Sequence, residues 1–193
     1  MIIPQVPAAG GLHYIWPGLQ PSSDNFVFQD VGGDALGSGA WTFAEWTVDS
    51  QDNYNKTDDV AVYPGDSIDI LFSLDVNSGE WLDQWTTTPG SDGTAAGEQF
   101  TAASFMAPES QLAAFGPLTQ ALFIIELQEG ATWNFGPLTF SDITIQAQTT
   151  GTDWCSSPTQ EDQFTFSMLT PVSTVDGNTA TCTISSLVFI APS

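Results

Sequence analysis

Of the side chains able to do chemistry, this sequence offers carboxylates and amides and little else. It holds 23 Asp and Glu, one His, two Cys and a single basic residue, Lys56. A Ser-His-Asp or Cys-His system would have to use His13, and no GxSxG nucleophile turn accompanies it. An ordinary polar contact near the chain start is the role expected of that histidine. The same counts exclude Cys-rich and His-rich zinc sites, and neither a P-loop nor a dinucleotide fingerprint occurs. No metal and no cofactor are therefore expected. Residues 75–80 set oxygen ligands in a tight turn without EF-hand spacing, and read as a hairpin turn. The paired DTG-type loops of pepsin-like enzymes are absent. Any hydrolytic mechanism falls to a carboxyl group working with another acid or an amide. A carboxylate exchanges protons in acid, and an uncharged amide can stabilise an oxyanion over the whole working range. Paired acids on a β-sandwich would also suit a glycosidase. The seven Trp would suit sugar stacking, although such rings more often fill a core.

The charge balance narrows the partners. A formal net charge of −22 with one Lys leaves nothing to displace counterions from phosphates, so nucleic acid is excluded as a partner. Anionic membrane surfaces are disfavoured for the same reason, and no apolar stretch is long enough to span a bilayer. Surface carboxylates repel one another at neutral pH, and most of that repulsion disappears below about pH 4. The composition suits an acidic medium; solubility alone is the plainer explanation of the charge. Cys155 and Cys182 most simply form one disulfide in a secreted chain, and Asn55-Lys56-Thr57 is a glycosylation sequon fitting the same compartment. Residues 1–11 lack the charged start and apolar run of a secretory leader, so a secreted chain would have shed its leader.

The elements that must position these groups are strands. Over 67–76, Ile68, Ile70, Phe72, Leu74 and Val76 alternate with Asp69, Leu71, Ser73 and Asp75, a half-buried strand announced by Pro64-Gly65. Similar runs cover 26–29, 41–48, 79–87, 121–128, 131–140, 141–148, 163–169 and 180–190. Pro108 could open a short helical turn over 109–114, ended by Gly116-Pro117. Many strands with turn clusters between them predict one all-β domain over 1–193, an antiparallel β-sandwich. On the strand at 41–48, Trp41, Phe43 and Glu45 share one face, which sets Glu45 beside a possible cleft.

Several segments, taken in order, resemble the fungal glutamic peptidases (eqolisins). Ala121-Leu122-Phe123-Ile124-Ile125-Glu126 is similar to the strand that delivers their catalytic glutamate. Tyr63-Pro64-Gly65-Asp66-Ser67-Ile68 resembles the turn and strand ahead of it, and Asn134 to Phe140 the Phe-rich strand behind it. Trp16-Pro17-Gly18-Leu19, Phe28-Gln29 and the stretch from Trp41 to Glu45-Trp46 resemble the early Trp segment, the glutamine strand and a cleft-lining strand. The likeness runs from about Val6 to Ile190 through short motifs.

The resemblance implies a concanavalin-like sandwich of two large bent sheets and a secreted, acid-active endopeptidase acting on polypeptide. It gives Glu126 the role of general base and then acid, and Gln29 that of orienting the water and donating to the oxyanion. Trp16, Gln20, Asp34, Trp41 and Glu45 would bind substrate or support the pair. Gln20 stands where the family has Asp, Gly33 with Asp34 beside it where an acid is expected, and Leu122 where a Glu can occur. The family's N-terminal strand region has no counterpart before Val6, which would leave a sheet edge open to another chain. Two further functions follow: an inactive accessory or structural subunit binding a secreted partner protein, and a carbohydrate-binding module.

Overall fold

The computed structural model describes residues 1–8, 10–34, 39–108, 112–156, 158–160 and 164–192. The chain is nearly all β, with antiparallel sheets packed face to face. The first sheet is built from β1 (Leu12–Pro21), β2 (Phe26–Asp34), β3 (Trp41–Asp49), β4 (Tyr54–Lys56), β5 (Val60–Val62) and β9 (Leu118–Gln128). Its order is β4-β3-β2-β1-β9, with β5 also paired to β3.

The second layer contains β6 (Ser67–Asp75), β7 (Glu80–Thr88) and β8 (Thr101–Ala107), and then β10 (Leu138–Ala147), β11 (Phe166–Met168), β12 (Val172–Asp176) and β13 (Thr179–Phe189). The two groups are joined by the N-terminal residues, because Ile2 bridges to Ser67 of β6 and to Thr139 of β10. A short helix α1 (Ser91–Ala96) ends where Gly97 takes a left-handed conformation and its N–H closes onto Gly93 and Thr94. A helical turn α2 (Asp153–Ser156) carries Cys155, which forms a disulfide with Cys182 of β13.

Alternation decides which residues meet between the sheets. Ile15, Trp41, Phe43 and Val62 of the first sheet pack against Ile68, Trp85, Leu138, Phe140 and Leu187 of the second. Each such side chain contributes about 1.5–3 kcal/mol by leaving water. Trp41 is fully buried, donates to the carbonyl of Pro4, and meets Phe135 edge-on. His13 is also buried, with Nε2 on the Thr132 carbonyl and its ring edge-on to Phe135.

Two segments differ from the periodicity reading. β1 is a ten-residue strand that the pattern does not announce, because Pro17, Gly18 and Pro21 interrupt it. Its pairing with β2 passes from Ile15↔Gly32 to Gly18↔Gln29, skipping the stretch that contains Pro17 and its missing N–H. The run 131–140 is strand only from Leu138 onward. Trp133 Nε1 donates to the Gly136 carbonyl, and Gly136 has φ 79°, so the chain turns there instead of extending. Residues 109–111 of the helical turn expected over 109–114 lie outside the described residues, as does residue 163 at the start of the strand expected over 163–169.

Candidate functional site

The outer face of the first sheet collects most of the residues singled out by type. Directly opposed residues of an antiparallel ladder project to the same side. Tyr14, Trp16, Gly18 and Gln20 of β1 therefore share this face with Glu126, Ile124, Leu122 and Gln120 of β9. On β2 and β3 the same face carries Gly33, Gln29, Thr42 and Trp46.

Glu126 is half-buried and held from two sides. Trp16 Nε1 donates to its Oε2 at 3.1 Å, and Gln128 Nε2 donates to its Oε1 at 2.5 Å. Gln29 is 7% exposed, and its Oε1 has no donor among the described residues. It fits because Gly18 opposite lacks a side chain. A Cβ on Gly18 would lie 2.9 Å from the Phe28 carbonyl oxygen and 3.0 Å from the Gln29 Cβ.

Both residues face outward, yet the register keeps them apart. Gln29 is level with Gly18, which is level with Leu122; Glu126 is level with Tyr14, four residues further along β1. Four residues along the strand and two strands across amount to about 16 Å between their backbones. At that separation one water would need both side chains fully extended towards each other, whereas Glu126 is held by Trp16 and Gln128. Trp16 stands on Glu126, whereas Gln20 belongs to the other end and donates to Asp24 and Gln120. Next to Gln29, Trp46 stacks on the exposed Tyr54 with ring centroids 5.5 Å apart. The ammonium of Lys56 lies 4.9 Å from the Trp46 centroid and pairs with Asp59. Asn55 of the sequon is exposed on the short strand β4.

Trp41 and Glu45 share a face, but it is the inner one, between the sheets. The Asp34 backbone pairs with Trp41, and its side chain lies outside the described residues.

Sequence reasoning by strand does not reveal the inner acids. Asp30 is directly opposite Glu45 and turns inward beside the outward-facing Gln29. Asp83 of β7 reaches them from the second sheet. All three are at most 1% exposed, and none of their carboxylate oxygens finds a donor among the described residues. A hydrogen bond between Asp30 and Asp83 exists only while one of them holds a proton. Burial, first, and the neighbouring Asp83 and Glu45 charges push the Asp30 carboxyl well above the ordinary range. Burial raises Glu45 to about 8, with Asp83 adding to it. Burial raises Asp83 to about 7, opposed by the hydrogen bond from Asp30.

A second carboxyl pair ties the turn before β6 to α1. Asp66 is buried and accepts from the N–H groups of Tyr63 and Gly90. Glu98 lies against it and is raised to about 7 by burial and by Asp66. Gly93 is required there, because a Cβ would collide with both carboxyl groups.

No group of three metal-ligating side chains occurs among the described residues. No family model and no curated protein matches this chain. Two solved structures do. Aspergilloglutamic peptidase from Aspergillus niger is 18% identical with a TM-score of 0.46, over 90% of this chain and 99% of that one. Scytalido-glutamic peptidase, solved with a transition state analog inhibitor, is 18% identical with a TM-score of 0.47, over 95% of this chain and 88% of that one. This chain is similar to them in fold.

Proposed function

We propose that the chain binds extended polypeptide on the outer face of the first sheet, and does so without cleaving it through Gln29 and Glu126. The four-residue register offset between these two residues carries this reading. General acid–base catalysis needs both groups within hydrogen-bond reach of one reacting centre, and a misplacement far smaller than this one costs orders of magnitude in rate. Binding is supported by the surroundings. Among the described residues β9 pairs only with β1, so its outer edge keeps unpaired backbone groups beside Glu126. Such an edge accepts an added strand; Tyr14 and Trp16 of the neighbouring β1, and Trp46 further across on β3, supply aromatic surface on the same face. The Cys155–Cys182 disulfide and the acid-suited charge support a secreted protein.

The test is titration of a denatured, unlabelled polypeptide while following tryptophan fluorescence, with cleavage measured in parallel. Saturable binding that weakens in Trp46→Ala, without new chain ends, is expected. Absence of any binding would remove the reading.

A second reading is the acid endopeptidase implied by the sequence motifs. The shared outward face of Gln29 and Glu126, and the unpartnered Gln29 Oε1, favour it. It requires β2 to move along β1 far enough to bring the two side chains to one water. Its mark is cleavage at about pH 2–4, where carboxylates titrate, lost in both Gln29→Ala and Glu126→Gln.

A further inference from the structure

A cavity of about 290 Å³ opens between the sheets at the β5 and β8 side, on the opposite side of β3 from the face just described. Its lining includes Glu45, Thr57, Asp58, Val60, Trp85 and Phe105. We propose that this cavity is a binding site for an alkylammonium group, the chemistry shared by a lysine side chain and a free primary amine, with Glu45 as its counter-ion.

Glu45 is 1% exposed, and both of its carboxylate oxygens are buried without a donor among the described residues. A buried carboxylate of this kind is costly unless a cation meets it. Neither cation among the described residues meets Glu45, and the Met1 ammonium donates to the Ile68 carbonyl instead. Lys56 is the chain's single Lys or Arg, and it lies on the outer face over Trp46, paired with Asp59. Within the chain only a proton neutralises this carboxyl, so a cation that replaces the proton comes from outside.

The walls select its type. Val60, Trp85, Ala103 and Phe105 suit a methylene stem, and the Trp ring attracts a cation. The exposed Asp58 stands at the rim. Thr57 is fixed beside Glu45 by two hydrogen bonds, one in each direction between the residues. The absence of a three-ligand group among the described residues favours an organic cation over a metal ion. The site differs from the outer face in position and chemistry, and does not rest on the reading given above.

The charged groups facing Glu45 are Asp30 from β2, Asp83 from β7 and Asp58 from the segment before β5. None is a cation, so the empty site keeps its proton up to a pH of about 8. Binding then releases one proton: the carboxylic acid and the ammonium give a carboxylate–ammonium pair and H⁺ to solvent. Affinity rises up to tenfold per pH unit below that point.

The experiment is calorimetric titration of the whole chain with n-butylammonium, and separately with a lysine whose main chain is blocked at both ends. It is run at pH 5.5 and 7.5, each in two buffers of different ionisation heat. Saturable binding that strengthens at least tenfold at the higher pH, with proton release, is expected. Glu45→Gln loses at least tenfold while its far-UV spectrum is unchanged, and Ala103→Trp, at an exposed lining position that leaves Glu45 in place, blocks entry. Binding of both probes assigns the site to lysine side chains; binding of butylammonium alone assigns it to free amines. No binding of either at pH 7.5, or binding that survives Glu45→Gln, overturns the proposal. A cavity that merely holds protonated acids gives the first of those results.

Discussion

Asp30 of β2 and Asp83 of β7 meet between the two sheets, and each can be satisfied only by a proton shared with the other. Glu45 extends this arrangement to a third carboxyl, and Asp66 with Glu98 repeats it near α1. A sandwich with such pairs holds more protons than its unfolded chain does.

Stability therefore falls as pH rises. Asp30, Glu45, Asp83 and Glu98 all have folded-state pKa values above the ordinary carboxyl range. Their stabilisation is complete below the unfolded values near 4; that of Glu45, Asp83 and Glu98 is lost as pH climbs through about 7 to 8, and Asp30 adds to the loss in the same direction. Each retained proton contributes a slope of about 1.4 kcal/mol per pH unit across that window. The exposed Asp49 and Asp75 act oppositely, because hydrogen bonds from Asn53 and Asn77 lower them; their contribution disappears only in strong acid. Urea unfolding from pH 3 to 8 should show a maximum near pH 4 and a steady decline above it. A rise between pH 4 and 7 would contradict the buried acids.

Asp83→Asn isolates the pair. The amide donates to Asp30 without needing a proton and carries no charge to bury. The variant should gain about 1–3 kcal/mol at pH 7 and change little at pH 3, with a flatter pH profile. Equal destabilisation at both pH values would show that packing, not protonation, governs this position.

Gly18→Ala tests the contact beneath Gln29. The added methyl would press on the Phe28 carbonyl at 2.9 Å and on Gln29 itself, so the β1–β2 ladder must open. Overpacking of this kind costs about 1–3 kcal/mol. Thermal melts should show that loss, and Trp46, level with Gln29, should report it by a fluorescence shift.

Much of this architecture was legible in alternation alone. The strand at 67–76 appears as β6, and the shared face of Trp41, Phe43 and Glu45 is present as read. Its direction was not legible. The aromatics Trp41 and Phe43 belong to the core and take Glu45 inward with them, to the wall of the cavity between the sheets and not to the outer face of Gln29 and Glu126. β1 escaped the pattern because its two prolines and a glycine are strand breakers by type; Gly18 packs closely on Gln29, Pro17 falls where the β2 pairing is skipped, and Pro21 falls at a register shift against β9. The carboxyl pairs join residues 53 and 32 positions apart, Asp30 with Asp83 and Asp66 with Glu98, so no local spacing announces them. The motif around Glu126 lay on a strand as expected. The distance from Glu126 to Gln29 depends on two registers, which motif order does not specify.

The most direct measurement is cleavage of a denatured protein substrate at about pH 3, where carboxylates titrate, by the wild-type chain, Gln29→Ala and Glu126→Gln, each verified as folded by far-UV circular dichroism. The register offset predicts no cleavage that depends on the pair. Wild-type cleavage abolished in both folded variants would contradict it and show that Gln29 and Glu126 meet.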